Sequence, residues 1–237
     1  MQQGQSPITY RYTFTFPDGR QQVVTVRLDS QTLNGLREDP QPPPPWTALP
    51  FHKCPNCPLK DAERPSCPAA LSLVEIIHLF RCARSFQQVE VCVETEARRY
   101  VKSTSLQEAL SSLIGLHMVT SGCPVMGKLK PLVRHHLPFA RAEETTYRVL
   151  SMYSLAQFFV ARHGKPPDWM FKNLTAMYQA IHVVNEHFSR RLSEISTGDA
   201  SLNALVMLDL FAQTITFSID ENALDELELL FEPYFRG

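Results

Sequence analysis

The sequence predicts an α+β fold, with a small N-terminal antiparallel sheet of two hairpins packed on a larger C-terminal helical layer and a cysteine-rich metal loop between them. Three observations predict it. Apolar residues alternate in two stretches before residue 104, they recur at helical spacing from residue 105 onwards, and a loop rich in cysteine and proline separates the two hairpins. We expect a single domain over 1–237, with the hairpins, the cysteine loop and one helix in 8–104 and the helical layer in 105–237.

The two hairpins are predicted from side chains that alternate between apolar and polar, which gives a strand one buried face. In the first hairpin a turn at Pro17-Asp18-Gly19 joins the two alternating runs. The second hairpin turns near Glu96-Ala97 and returns through Tyr100 and Val101. The alternating apolar residues are Tyr10, Tyr12, Phe14 and Phe16, then Val24, Val26 and Leu28, and in the second hairpin Val89, Val91 and Val93.

The helices are predicted from apolar residues three and four positions apart. A first helix is expected over 69–85, where Leu73, Ile76, Ile77 and Phe80 share a face. Ser105 is expected to cap the next helix, with Glu108 completing a capping box. Further helices are expected at 142–163, 168–195 and 200–216, followed by a short acidic helix over 221–231.

Composition and charge exclude several classes of protein. The net charge of −1 and the pI near 6.7 give no general attraction to nucleic acid or to an anionic membrane. No run approaches the roughly 20 apolar residues of a membrane-spanning helix, and residues 1–7 do not resemble a signal peptide. We therefore expect a cytoplasmic protein that binds another protein or a small ligand, with neither nucleic acid nor a membrane as partner. The common nucleotide-binding and hydrolase motifs do not occur.

Four of the six cysteines directly precede a proline: Cys54, Cys57, Cys67 and Cys123. A C-x-x-C pair brings two thiolates within chelating reach, and a third and a fourth cysteine complete a Cys₄ set. In a reducing cytoplasm such cysteines indicate metal binding rather than disulfides. The pattern predicts one metal centre on these four, with His52 as an alternative ligand. The other two, Cys82 and Cys92, are predicted to be small core residues.

The identity of the metal stays open between zinc and a [4Fe–4S] cluster, which we regard as about equally favoured. Zinc knuckles usually have glycine after the second cysteine, and here Pro58 occupies that position. The spacing to Cys67 and Cys123, however, matches no standard ferredoxin pattern. Four protein ligands leave no open position, which is typical of a structural site. The alternative is an iron–sulfur redox enzyme or sensor.

A second candidate site follows Cys123 in the chain. Residues 125–142 are basic and contain no acidic residue, and Glu143, Glu144 and Arg148 follow directly. If the basic segment folds back on this helix, His136, Glu143, Glu144 and Arg148 form a polar pocket beside Cys123. The acidic pair also has a simpler explanation, because carboxylates favour the first turn of a helix.

Several motifs together resemble a family of uncharacterised bacterial proteins. They are FHKCPNCPL at 51–59, TSGCP at 120–124, HLPF at 136–139 and LDLFAQ at 208–213. The resemblance extends over most of the chain. It implies a bacterial cytosolic origin and a whole-chain unit, and it implies no activity.

Overall fold

The computed structural model describes residues 6–195, 197–220 and 223–236. Its four strands are β1 (Ile8–Thr15), β2 (Gln21–Leu28), β3 (Gln88–Glu94) and β4 (Arg99–Ser105). They form one antiparallel sheet in the order β2-β1-β3-β4. Both predicted hairpins and the α+β class are confirmed.

The register of the sheet explains why alternation was a reliable signal. Tyr12 lies opposite Val24 on β2 and Val93 on β3, so apolar residues of neighbouring strands meet on one face. Tyr12 and Phe14 are completely buried on that face. At the tip of the first hairpin Gly19 has a φ of 81°, a left-handed backbone conformation that glycine adopts without strain.

The C-terminal half is helical, as predicted. The helix α3 packs on α1, on strands β3 and β4 of the sheet and on α7, and α7 also packs on α6. Of the predicted acidic helix, Ala223–Glu228 and the turn after it are described, whereas 221 and 222 lie outside the described residues. The described helices are α1 (Pro68–Ser72), α2 (Val74–Leu79), α3 (Leu106–Thr120), α4 (Lys130–Arg134), α5 (Ala142–Arg162), α6 (Lys172–Ser193), α7 (Ala200–Asp220), α8 (Ala223–Glu228) and α9 (Glu232–Phe235).

The helix predicted over 69–85 is wrong in its length and continuity. It is broken at Leu73, and α2 ends at Leu79. At the break the ring Nδ1 of His117 donates to the carbonyl of Ser72 at 2.8 Å, so a contact from α3 occupies an oxygen that a continuous helix would use itself. Because α2 ends early, Cys82 lies in an exposed turn and is not a core residue. Cys92 is buried on β3, as expected.

The helix α7 is apolar on more than one side. Residues 200–217 have a mean hydropathy of 1.3, so by length and composition alone this stretch is able to cross a membrane, and only 33% of it is buried. The stretch includes Asp209, and Ala204 and Leu205 are buried within the helical layer. The helix is therefore a packing element that also presents an apolar outer face, which includes Leu210 and Phe217.

Candidate metal centre

Three of the predicted ligands lie in a loop whose two ends are held by backbone hydrogen bonds. The N–H of Cys57 donates to the carbonyl of Cys54 at 3.0 Å, which forms the turn between these two residues. The N–H of Cys67 donates to the carbonyl of Thr47 at 2.7 Å, and the next residue, Pro68, begins α1. Proline suits this first helical position because it has no N–H to satisfy. The hydrogen bond between Cys67 and Thr47 therefore joins the two ends of the loop just before α1 begins.

The fourth predicted ligand, Cys123, follows α3 in a tight turn. Gly122 has a φ of 96°, and the N–H of Cys123 donates to the Ser121 hydroxyl at 3.1 Å. A Cβ atom placed on Gly122 would lie 4.0 Å from the Cβ of Pro68. The turn that carries Cys123 therefore lies against the start of α1, directly beside Cys67.

The four thiols form one group, which we call the cysteine cluster (Cys54, Cys57, Cys67 and Cys123). Burial raises the pKa of the Cys54 thiol to about 12, and the charges of the other three raise it as well. Burial also raises the pKa of Cys123, while hydrogen bonds from the backbone N–H groups of Met126 and Val125 oppose that shift. The fold thus brings together residues that are far apart in the chain.

The cysteine cluster is not a preformed single-ion site. Among the residues that the structure describes, no group of three or more His, Cys, Asp or Glu side chains is placed to hold a metal ion. A zinc ion with bonds of about 2.3 Å to four sulfurs would hold them roughly 3.8 Å apart. The thiols are close enough to influence one another's charge, but they do not form that tetrahedron.

A buried arginine beside the cluster was missed by the sequence analysis. Arg191 near the end of α6 is 2% exposed, and its Nη1 donates to the carbonyls of Trp46 and Ala48. Burial lowers its pKa, and the charges of Cys67, Cys54 and Cys57 oppose that shift. Val184, Phe188 and Arg191 share the buried face of α6 by helical spacing. This spacing in the sequence could have predicted that Arg191 is buried.

His52, the alternative ligand, faces a different partner. Its Nε2 bonds the carboxylate of Glu194, the residue that follows α6, and its ring stands edge-on to Phe51. This contact attaches the loop to the end of α6. The structure does not direct the imidazole to the cysteines.

The predicted polar pocket is only partly assembled. His136 and Arg148 line a cavity of about 230 Å³ between α3, α5, α6 and α7, which we call the helical-layer cavity. Glu143 is exposed and does not line it. The Glu144 carboxylate accepts the N–H of Arg141 at 2.8 Å and so caps α5, in line with the simpler explanation for an acidic first turn.

His136 belongs to a neutral hydrogen-bonded group in the cavity wall. The Tyr12 hydroxyl is hydrogen-bonded to its Nε2 at 2.6 Å, and Ser112 Oγ lies 3.0 Å from the same hydroxyl. Burial lowers the pKa of His136 to about 3, so its ring is uncharged at neutral pH. The partner comes from a strand more than a hundred residues away, and no local pattern reveals such a pair.

Comparison with known proteins identifies a family and no activity. A family model described as a domain of unknown function (DUF6901) matches residues 8–232. No curated protein and no solved structure matches the chain. The function therefore has to be argued from the residues of this chain.

Proposed function

The chain belongs to the DUF6901 family, and we propose that it is a cytosolic metal-binding protein whose cysteine cluster holds a zinc ion or an iron–sulfur centre of structural role. The observation that carries the proposal is the convergence of Cys54, Cys57 and Cys67 with Cys123. In the sequence, β3, β4 and α3 separate Cys123 from the other three. Thiolates are the ligands that both of these centres prefer.

The surroundings of the cluster favour a negatively charged centre. Four thiolates around a dication carry a net charge of about −2, and two cations lie near them. Arg191 interacts with three of the cysteines. Lys53 is paired with Asp61 at 2.8 Å, and the charge of Cys57 also acts on it. The N–H groups of Val125 and Met126 face the Cys123 sulfur. Cations and N–H donors of this kind stabilise bound thiolates.

The cysteine cluster suits either a zinc ion or an iron–sulfur cluster. The four thiols interact electrostatically, and the described residues form no preformed single-ion site. A zinc ion would hold the four sulfurs around one point, whereas the sulfurs of an iron–sulfur cluster bind separate irons. Metal analysis decides between the two.

The centre would act by joining three parts of the molecule. It would tie the loop at 52–68 to the turn after α3, next to the end of α6 where Arg191 lies. All four positions would be filled by protein, so no site is left for substrate, and a closed site of this kind contributes directly to folding. The molecule would then act by binding a partner or a small ligand. An iron–sulfur centre with a redox or sensing role is the second candidate, since the same four thiolates are the ligands of such a cluster.

Anaerobic purification followed by measurement of iron, zinc and sulfide per chain tests the proposal. We expect either visible absorbance that dithionite bleaches or one bound zinc per chain, and Cys67→Ser should abolish metal binding and lower the free energy of unfolding by about 3 kcal/mol. The matched control is Cys82→Ser, since Cys82 is exposed and lies outside the cluster. A colourless protein with one bound zinc would retain the structural role and exclude the iron–sulfur centre. Metal-free protein, or equal behaviour of the two variants, would contradict the metal centre.

A further inference from the structure

The helical-layer cavity has the size of a small-ligand site. Its volume is about 230 Å³, and a protein cavity of about 150 Å³ is known to accommodate benzene. Most of its wall is apolar, so the body of any occupant should be apolar too. The apolar lining includes Leu116, Met126, Leu129, Ile181, Leu208 and Phe211.

One positive charge at the wall of the cavity has no salt-bridge partner among the described residues. Glu108 and Arg148 are the charged residues of the lining, and Glu108 is paired with Lys102. The Nη2 of Arg148 donates to the carbonyls of Leu132 and His135 at 2.9 and 2.8 Å, which are neutral acceptors. Within the described chain no carboxylate lies in salt-bridge distance of its guanidinium, whose other N–H groups therefore remain able to bind an anion.

The remaining polar groups of the wall are uncharged. His136 is neutral and hydrogen-bonded to Tyr12. Asn185 is 1% exposed, and its Oδ1 has no hydrogen-bond partner among the described residues. An anionic ligand would neutralise the guanidinium, since Glu108 is already paired with Lys102 and Glu144 acts on Arg148 only through its charge, without a salt bridge.

Arg148 also lies where a ligand would enter. It lines both the cavity and an outer groove that includes Tyr147, Met152, Leu155 and Phe159. The guanidinium thus stands between solvent and the apolar interior. An amphipathic molecule placed here has its charged end at the arginine and its apolar body inside.

We propose that the helical-layer cavity binds an apolar monocarboxylic acid of roughly ten non-hydrogen atoms, with its carboxylate held by Arg148. The apolar chain lies among α3, α6 and α7, and the carboxylate accepts guanidinium N–H groups. Bidentate arginine–carboxylate pairs are among the stronger hydrogen-bonded contacts in proteins. The proposal does not rest on the metal centre, and loss of metal binding in Cys67→Ser leaves it in place.

Calorimetric titration of the full chain with octanoate, and with octanamide as the uncharged analogue, tests the proposal. We expect saturable binding of one octanoate per chain and at least about tenfold weaker binding of octanamide. Arg148→Gln should reduce octanoate to the level of octanamide and leave octanamide unchanged. The control Arg162→Gln, at the exposed end of α5, should change neither affinity. Absence of saturable binding, or equal loss of both ligands in Arg148→Gln, overturns the proposal.

A second measurement uses the unaltered protein, because Arg148 also holds two backbone carbonyls and its replacement is able to disturb folding. Octanoate labelled with ¹³C at the carboxyl group is titrated with acid in the bound state and observed by NMR. A carboxylate held by a guanidinium has a pKa below that of the free acid. A bound pKa equal to or above the free value overturns the assignment to Arg148 whatever the variant does.

Discussion

The core between the sheet and α3 is closed, whereas the helical layer keeps both an internal cavity and an apolar surface. Phe14, Leu110 and Ile114 in the first region are 0% exposed. In the second region Leu210 is 57% and Phe217 is 63% exposed, and the same region contains the cavity of about 230 Å³. The two regions share one contiguous set of buried residues but use their apolar side chains differently. The side chains of the first region are fully packed, whereas the second region contains a cavity large enough for a small ligand.

The helices α3 and α7 show where this difference arises, since both are strongly apolar. The sheet, α1 and α7 surround α3, so almost every face of it is covered. One side of α7 packs on α3 and α6, and its outer side faces solvent. A helix that is apolar on all sides is normally buried on all sides, so the open face of α7 is the departure from that rule.

The largest expected effect is the loss of packing in the closed core. Phe14→Ala removes a fully buried ring that stacks edge-on against Phe80 at 5.1 Å. We expect the free energy of unfolding, measured in urea, to fall by about 3–5 kcal/mol. The control Leu155→Ala removes a side chain of α5 that is 56% exposed and should cost less than about 1 kcal/mol. Equal losses for the two variants would mean that the regions do not differ in packing.

Acidification should destabilise the fold through two partly buried histidines that are held in the uncharged form, His117 against α1 and His136 in the wall of the helical-layer cavity. Burial lowers the pKa of His117 to about 4 and that of His136 to about 3. Because both values lie below the ordinary pKa of about 6.5, the unfolded chain binds more protons than the folded one between these limits. The associated stability is therefore complete above about pH 6.5 and is lost as the pH falls towards the folded values.

The expected size of this loss is on the order of 2 kcal/mol per histidine between pH 7 and pH 5. Urea midpoints at the two pH values measure it. His136→Gln should make the decline shallower, whereas His135→Gln, at the exposed neighbouring position, should leave it unchanged. The same decline in both variants would show that His136 is not the titrating group.

The smallest effect is expected where the helical layer has free space. Ala212 on α7 lines the cavity and is 4% exposed, and Ala109 on α3 is 0% exposed in the closed core. Ala109→Met should lower the free energy of unfolding by about 1–3 kcal/mol, because a packed core has no room for the added atoms. We expect Ala212→Met to stay within about 1 kcal/mol of the natural protein, because its side chain enters the void. A large loss at Ala212 would mean that the cavity is not accessible to a side chain.

The sequence was informative wherever a local repeat reports burial. Alternation at Tyr12 and Phe14 located β1, and helical spacing located α5, α6 and α7 to within a few residues of the observed ends. The Cys-Pro pairs identified four cysteines that the fold brings together. These signals work because a strand or a helix repeats its geometry along the chain, so that one covered face appears as a period.

Only the tertiary structure decided the features that depend on which distant residues meet. Helix α1 ends before Leu73 because the His117 ring bonds the Ser72 carbonyl. Arg191 lies beside the cysteines, and the Tyr12 hydroxyl is hydrogen-bonded to His136. Hydrogen bonds, charges and voids of this kind are set by contacts between elements far apart in the chain. Local periodicity carries no record of them, because it reports that a face is covered and not which residue covers it.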